Sequence, residues 1–299
     1  MNRRAWRVIV CLVSAACAAA CGDASGGGAS AACAGKTGRP GAQQREIASG
    51  VLARTFRLSV PSSYDGSRPV PLVVDFHGVL SNAAEQEPRS RMVEAGEANG
   101  FIVATPDGYH RSWNAEVCCS DAMADNVDDV GFMRDMVADI GADYCVDPDR
   151  VYAAGYSNGG IFAFYLACRA ADLVAAIASI EAASPLGDLC RPSRPVPVLA
   201  FNGTGDPVVP YAISGPTVEQ WRGIDGCGDT SAITYERGDS SCETWDECAD
   251  GTAVELCTIE GGGHVWPGGG DFPSYLGKKT EDLSATEESW KFFAAHPMR

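Results

Sequence analysis

A serine between two glycines stands where the sequence changes from a buried-strand pattern to a buried-helix pattern. The turn reads Gly155-Tyr156-Ser157-Asn158-Gly159, after an apolar run at 151–155 and before an apolar run at 161–171. A strand-to-helix turn this tight leaves no room for side chains beside the serine, and it exposes the hydroxyl at the helix N-terminus. We predict that Ser157 is a nucleophile; the alternative is an ordinary surface turn.

A serine nucleophile needs a base, and the chain has four histidines. His264 lies in a glycine-rich segment directly after a predicted strand at 254–259, where flexible backbone can bring an imidazole over the serine. His77 follows an earlier strand and suits an oxyanion turn, whereas His110 and His296 suit surface or structural positions. The position favours His264 as the base.

Asp206 is the candidate acid that orients this base. It follows a predicted strand at 196–201, so the order along the chain is serine, aspartate, histidine, as in α/β-hydrolases. Its alternative role is to cap the turn before Pro207.

Two backbone N–H groups are expected to hold the oxygen of a tetrahedral intermediate. One belongs to Asn158, directly after the serine, and the other to the turn after the strand at 70–76. Val79 is the favoured donor there, with Leu80 as the second choice.

Strand and helix patterns alternate along the chain, which predicts an α/β fold with a mostly parallel central sheet and helices on both faces. The segment at 55–60 alternates polar and apolar residues like an edge strand, and a helical pattern covers 86–99. Residues 223–251 are polar and suggest a disulfide-linked excursion before the last strand.

The formal charge of −16 argues against nucleic acid as a partner, because an acidic surface repels phosphate. Residues 1–20 have a basic start and a short apolar stretch, which predicts a signal peptide followed by Cys21 as a candidate lipidation site. Simple cleavage and secretion is the alternative. A flexible linker over 22–45 and a catalytic domain over 46–299 would follow. We expect an exported monomer, free or lipid-anchored at the bacterial surface or periplasm.

The chain has 13 cysteines, of which Cys11, Cys17 and Cys21 fall in or beside the leader. The other ten allow up to five disulfides in an oxidising compartment, and their spacing does not predict a zinc site. We expect Cys118 and Cys119 to bond separate partners rather than each other. The connectivity stays open for the ten cysteines Cys33, Cys118, Cys119, Cys145, Cys168, Cys190, Cys227, Cys242, Cys248 and Cys257.

The chain resembles exported polyhydroxybutyrate depolymerases and feruloyl esterases, which are α/β-hydrolases similar to carbohydrate esterase family 1. The matching segments, in order, are His77-Gly78, Trp113-Asn114, Cys118-Cys119, Val127-Asp128-Asp129, Asp147-Pro148-Asp149-Arg150, Gly155 to Gly160, Gly203-Thr204-Gly205-Asp206-Pro207 and Gly262-Gly263-His264-Val265-Trp266-Pro267-Gly268.

This resemblance implies a triad of Ser157, Asp206 and His264, an oxyanion hole at Val79 and Asn158, and no cofactor. It also implies a polyester or a plant polysaccharide ester as substrate. An acetylxylan-type esterase, a peptidase on the same fold, and a surface binding lipoprotein with an inactive triad are the alternatives.

Two tryptophans are candidates for substrate contact. Trp113 and Trp266 could stack on a feruloyl ring or a sugar, or they could pack the loops that shape the cleft. The chain departs from this family in its extra Cys242 and Cys257, which suggest an additional bridge near the His264 loop.

Overall fold

The computed structural model describes residues 30–184 and 186–298 and contains a ten-stranded sheet. The strands lie in the order β1-β2-β4-β3-β5-β6-β7-β10-β9-β8. Their bounds are β1 Gly41–Ser49, β2 Leu52–Val60, β3 Val70–Phe76, β4 Ile102–Pro106, β5 Val146–Tyr156, β6 Ala176–Ile180, β7 Val198–Gly203, β8 Ala232–Arg237, β9 Ser240–Trp245 and β10 Val254–Ile259.

The centre of the sheet is parallel from β4 through β10 in spatial order, and its two margins are antiparallel. Every residue of β3 is buried, as expected for a strand covered on both faces. Leu72, Val74 and Phe76 pack into one apolar cluster, whereas Val73 packs into another. The predicted α/β architecture with two covered faces is therefore correct.

Helices pack against both clusters. Helices α4, α5 and α6 contribute to the cluster that contains Phe162 and Trp221, and α2 and α7 contribute to the one that contains Met92 and Phe293. The helices of the described residues are α1 Ala83–Ser90, α2 Met92–Asn99, α3 Asp121–Ala124, α4 Asp129–Asp143, α5 Asn158–Arg169, α6 Ser214–Ile224 and α7 Ala285–Ala295. None of them is long and apolar enough to cross a membrane.

The helix predicted over 86–99 is two helices. Arg91 has a φ of 57°, in the left-handed region, and this residue ends α1 before α2 begins. The side chain of Asn82 accepts a hydrogen bond from the Glu85 N–H and so caps α1 one turn earlier than the pattern indicated.

The N-terminal boundary of the folded domain is earlier than predicted. Part of the segment proposed as a linker over 22–45 is structured, because Cys33 is bonded to Cys145 and β1 begins at Gly41. The exposed outer strand β1 has a polar sequence, which is why its composition resembled a linker. The predicted signal peptide, Cys21 and residues 22–29 lie outside the described residues.

Strand β1 also corrects the prediction of an edge strand at 55–60. That segment lies within β2, which pairs with β1 on one side and β4 on the other. Strand β6 was not predicted, because its sequence is short and alanine-rich. The excursion over 223–251 contains the antiparallel strands β8 and β9, which extend the sheet beyond β10.

Five disulfides form within residues 30–184 and 186–298, which agrees with the expected maximum for the ten cysteines there. They are Cys33–Cys145, Cys118–Cys119, Cys168–Cys190, Cys227–Cys248 and Cys242–Cys257. The expectation that Cys118 and Cys119 bond separate partners is wrong. The other eight cysteines pair among themselves, and a cis peptide brings the two Cα atoms of the adjacent pair to 3.1 Å.

Candidate active site

The turn between β5 and α5 carries Ser157 in a conformation that few residues adopt. Its φ is 54°, and its backbone N–H donates to the Ile180 carbonyl at the end of β6 over 2.9 Å. A Cβ on Gly155 would lie 2.2 Å from the Gly159 oxygen, and one on Gly159 would lie 2.5 Å from the Phe76 oxygen. Glycine at both positions is therefore a steric requirement of the turn.

The structure brings Ser157, His264 and Asp206 into one hydrogen-bonded line. The Nε2 of His264 lies 2.9 Å from the Ser157 Oγ, and its Nδ1 lies 2.7 Å from the Asp206 Oδ2. The Nδ1–H donates to the carboxylate, which leaves the lone pair of Nε2 free to accept the serine proton. These three residues come from the ends of β5 and β10 and from the turn after β7.

Asp206 is ionised and firmly held. Burial opposes the charge, but the hydrogen bond and charge of His264 outweigh it and lower the pKa of Asp206 below its ordinary value. Its Oδ1 accepts the N–H groups of Val208 and Val209 at 2.6 and 2.9 Å. The turn-capping role considered for Asp206 thus coexists with its contact to the histidine.

The backbone of His264 is fixed from two sides. The Tyr156 hydroxyl donates to the His264 carbonyl at 2.6 Å, and the His264 N–H donates to the Leu276 carbonyl at 2.7 Å. Tyr156 is mostly buried, and this burial raises its pKa, so the hydroxyl stays a donor. The sequence did not predict this role for Tyr156.

The turn after β3 lies beside the serine and contains the predicted donor Val79. The N–H of Leu80 already donates to the Arg111 carbonyl at 2.8 Å, which favours Val79 over Leu80 as the oxyanion donor. The cleft lining includes Gly78, Val79 and Ser157. Asn158 is the first residue of α5, so its N–H has no acceptor one helical turn earlier.

The side chain of His77 connects the turn after β3 to the loop after β4 by two hydrogen bonds. Its Nε2 accepts the Gly108 N–H at 2.9 Å, so the proton sits on Nδ1 and is donated to the Gly78 carbonyl at 2.7 Å. Burial lowers the pKa of His77 to about 4, which keeps the ring neutral. The assignment of His77 to the turn, rather than to the base, agrees with this position.

Trp113 and Trp266 do not face the cleft, which corrects their prediction as substrate contacts. Both side chains are fully buried. The Trp113 indole donates to the His77 carbonyl at 2.9 Å, and the Trp266 indole donates to the Thr286 hydroxyl at 2.9 Å. They pack the loops, as in the alternative considered, because each ring lies in an apolar cluster and each indole N–H is bound to another segment.

The side chain of Asn158 connects the serine turn to the loop that carries Trp113 and the adjacent cysteines. Its Oδ1 accepts the Trp113 N–H at 2.8 Å, and its Nδ2 donates to the carbonyls of Trp113 and Cys118 at 3.1 and 3.3 Å. The amide side chain thereby fixes the residue whose backbone N–H is the predicted oxyanion donor.

The cleft at Ser157 has a volume of about 270 Å³ and an apolar rim that the sequence did not predict. Leu80, Val208 and Tyr275 line it and are 69%, 55% and 77% exposed. Phe272 adds a second aromatic ring, and Glu85 and Arg89 add a polar side. The sequence signal for this part of the cleft is the pair of aromatic residues Phe272 and Tyr275, which follow the glycine-rich His264 segment.

One group of metal-ligand residue types lies elsewhere, at Cys242, Glu255 and Cys257. Cys242 and Cys257 form a disulfide, so their sulfurs are not thiolate ligands.

The sheet, the strained serine turn and the histidine after β10 define the class as an α/β-hydrolase. A family model described as esterase PHB depolymerase matches residues 55–210, more than half of the chain. The chain belongs to this esterase PHB depolymerase family.

Several known proteins of similar sequence or structure are named as esterases. Feruloyl esterase B of Piromyces equi is 34% identical over 71% of this chain, which spans 42% of that protein's length. The esterase-family protein NocK of Nocardia uniformis subsp. tsuyamanensis is 31% identical over 83% of this chain and 81% of its own length. The acetyl xylan esterase of Aspergillus awamori has the same fold, with a TM-score of 0.64 at 15% identity over 85% of this chain and 99% of its own.

Proposed function

We propose that this chain is a serine carboxylic ester hydrolase that acts through an acyl group on Ser157. The observation that carries the proposal is the unbroken hydrogen-bonded line from the Ser157 Oγ through His264 to Asp206. Family membership supports the same chemistry. A binding protein with an inactive triad would have no need for this alignment.

The mechanism follows from the donors and acceptors in place. The Nε2 of His264 takes the proton of Ser157 as the Oγ attacks the ester carbonyl carbon. The N–H groups of Val79 and Asn158 hold the resulting oxyanion. When the intermediate collapses, the bond to the alcohol oxygen breaks and the imidazolium gives its proton to the leaving alcohol. A water then attacks the acyl-enzyme and loses its proton to the same nitrogen. The second intermediate expels the Ser157 Oγ, which takes that proton back as the carboxylic acid leaves.

The apolar rim favours esters with an apolar or aromatic acyl group. Leu80, Val208 and Tyr275 line the cleft at Ser157 and are exposed at the surface, so one ester of a bulky polymer or oligomer could reach Ser157. Hydroxyalkanoate polymers and hydroxycinnamates on plant polysaccharides are the proposed substrate class. Acetylated xylan is the second candidate, supported by the Aspergillus awamori fold neighbour.

The decisive experiment is hydrolysis of p-nitrophenyl butyrate by Ser157→Ala. We expect kcat/KM to fall by at least about 10⁴-fold with an unchanged Tm, because the nucleophile is lost while the turn remains. Ser289→Ala is the matched control, since Ser289 is buried in α7 and its hydroxyl has no partner among the described residues. Undiminished turnover by Ser157→Ala would contradict the proposal.

A substrate panel then separates the ester classes. Methyl ferulate, short polyhydroxybutyrate and acetylated xylan should be compared on the wild type and on Tyr275→Ala. Tyr275 is the most exposed aromatic of the rim, so its loss should raise KM for methyl ferulate several-fold and leave acetate release nearly unchanged. Equal effects on both substrates would exclude an aryl contact at Tyr275.

We also propose that the protein is exported. Five disulfides are typical of oxidising compartments, and the basic and apolar leader suits a secretion signal. Mass spectrometry of the mature N-terminus distinguishes a diacylated Cys21 from free secretion.

A further inference from the structure

A second carboxyl group lies behind the triad. Glu181 is the first residue after β6, and Asp206 is the third residue after β7. The backbone N–H of Glu181 donates to the Phe201 carbonyl at 2.8 Å. Glu181 is only 1% exposed, and its backbone φ of 46° lies in the left-handed region. A glutamate is rarely buried to this degree without a cation beside it.

The contacts of Glu181 point toward the catalytic acid. Its Oε2 accepts the Gly203 N–H at 2.9 Å, and the Gly203 carbonyl accepts the Asp206 N–H at 3.3 Å, so the last residue of β7 binds both acids. Burial raises the pKa of Glu181 well above its ordinary range, and the charge of Asp206 raises it further. Two carboxyl groups this close cannot both be ionised without a large electrostatic cost, so one proton stays on the pair.

Asp206 is the member that keeps the charge, because its surroundings are richer in donors. The histidine and the amides of Val208 and Val209 all donate to it, whereas Glu181 receives one backbone N–H. Tyr156 interacts through charge with both carboxyl groups, and its ring lies 5.0 Å from that of His264. Arg89 and Tyr275 interact in turn with Tyr156.

We propose that Glu181 is a positioning residue that stays protonated in the active enzyme and donates a hydrogen bond to Asp206. This donor fixes the rotamer of the Asp206 carboxylate, so that its Oδ2 faces the His264 Nδ1. It also withdraws part of the carboxylate charge and thereby lowers the basicity of His264. The inference rests on the proposed function, since it assigns a role behind the same triad.

Glu181→Gln and Glu181→Ala separate this role from a structural one. Glutamine keeps a donor for Asp206 and an acceptor for the Gly203 N–H without changing the charge of a protonated glutamate. Alanine removes the donor and leaves that N–H unpaired. The readouts are kcat, KM and the pH dependence of kcat/KM, whose acidic limb reports protonation of His264.

We expect Glu181→Gln to keep kcat/KM within about threefold of wild type, with an unchanged acidic limb. Glu181→Ala should lower kcat by about tenfold or more at nearly constant KM. Its acidic limb should move to higher pH, because an Asp206 without this donor stabilises the imidazolium more strongly.

Two kinetic results would overturn the proposal. An acidic limb that moves to lower pH in Glu181→Gln would mean that Glu181 is ionised in the enzyme, since removing a negative charge disfavours the imidazolium. Wild-type kcat and pH dependence in folded Glu181→Ala would mean that Glu181 only holds the Gly203 backbone.

An infrared measurement tests the proton without turnover. The carbonyl stretch of a protonated carboxyl should be present at pH 7 in the wild type and in Ser157→Ala, and Glu181→Gln should lose one such component. Its persistence in Glu181→Gln would overturn the proposal. Ser157→Ala retains Glu181 but lacks the proposed nucleophile, so the infrared result does not depend on whether the proposed esterase activity is correct. The infrared test also does not require Glu181→Ala to fold.

Discussion

The carboxyl edge of the sheet at Ser157 and the periphery of the domain are held by different kinds of interaction. At the edge, glycines at 155 and 159 let backbones approach closely, and hydrogen bonds align the triad. At the periphery, Cys33–Cys145, Cys168–Cys190 and Cys227–Cys248 join the N-terminal segment, α5 and the β8–β9 region covalently to the rest.

This difference separates the sources of activity and stability. A triad atom displaced by an ångström loses reactivity, so its placement depends on close steric contacts at a few positions. A disulfide stabilises mainly by restricting the unfolded chain, and it can act far from the chemistry. Substitutions in the two regions should therefore affect activity and stability in different proportions.

Of the substitutions that test this comparison, Gly159→Ala at the catalytic edge is expected to have the largest combined effect on activity and stability. The added Cβ would lie 2.5 and 2.6 Å from the carbonyl oxygens of Phe76 and His77, which are backbone atoms and cannot rotate away. We expect kcat/KM to fall by at least about 10²-fold and the free energy of unfolding by about 3 kcal/mol. Ester hydrolysis and urea unfolding measure both.

Gly141→Ala is the control for this substitution. Gly141 lies within α4, and a Cβ added there would meet no atom within 4 Å, so alanine should stabilise the helix by about 1 kcal/mol without changing activity. Full activity in Gly159→Ala would contradict the claim that close steric contacts at this turn place the triad.

An intermediate effect, on stability alone, is expected when the bridge between Cys33 and Cys145 is removed by serine at both positions. The bridge spans 112 residues, and its loss should lower the free energy of unfolding by about 4 kcal/mol. The kcat/KM of the folded fraction should stay within about twofold of wild type. Denaturant unfolding followed by activity assays of the native protein checks both.

The Cys118–Cys119 pair offers the matching contrast. It closes no chain loop, so serine at both positions should cost much less stability than loss of the long-range bridge. Because the Cys118 carbonyl accepts from Asn158, this variant should instead alter kcat. Equal losses of stability in the two double variants would contradict the loop argument.

The smallest effect is expected at Asp75, which lies in β3 directly before the oxyanion turn. Ser90 and Gln86 donate to its buried carboxyl, and burial raises its pKa to about 7. The folded protein thus binds a proton that the unfolded chain releases near pH 4, so this group makes stability fall as pH rises from about 4 to 7. Asp75→Asn should flatten that part of the profile, measured as Tm against pH; an unchanged slope would contradict the assignment.

Much of the catalytic site could be predicted from sequence because its signals are local. The apolar strand, the glycine-flanked serine and the following helix are contiguous, and only four histidines competed for the role of base. The parallel centre of the sheet could also be predicted, because its strands are continuous apolar runs in the sequence. The polar outer strand β1 and the short strand β6 were missed, because exposure and length weaken the same pattern.

Other features depend on residues that are distant in sequence. Glu181 accepts the N–H of Gly203 on the neighbouring strand, and Tyr156 fixes the carbonyl of His264, 108 residues later. The burial of Trp113 and Trp266 and the rim of Leu80, Val208 and Tyr275 likewise follow from how separate loops meet.

The sequence by itself determined the nucleophile turn, the order of the triad and the class of fold, because steric limits on a tight turn and apolar periodicity act over a few residues. Only the tertiary structure decided which aromatic side chains face the cleft, which cysteines bond and which carboxyl lies behind Asp206. Those outcomes depend on the meeting of loops from different strands, and no local pattern encodes that meeting.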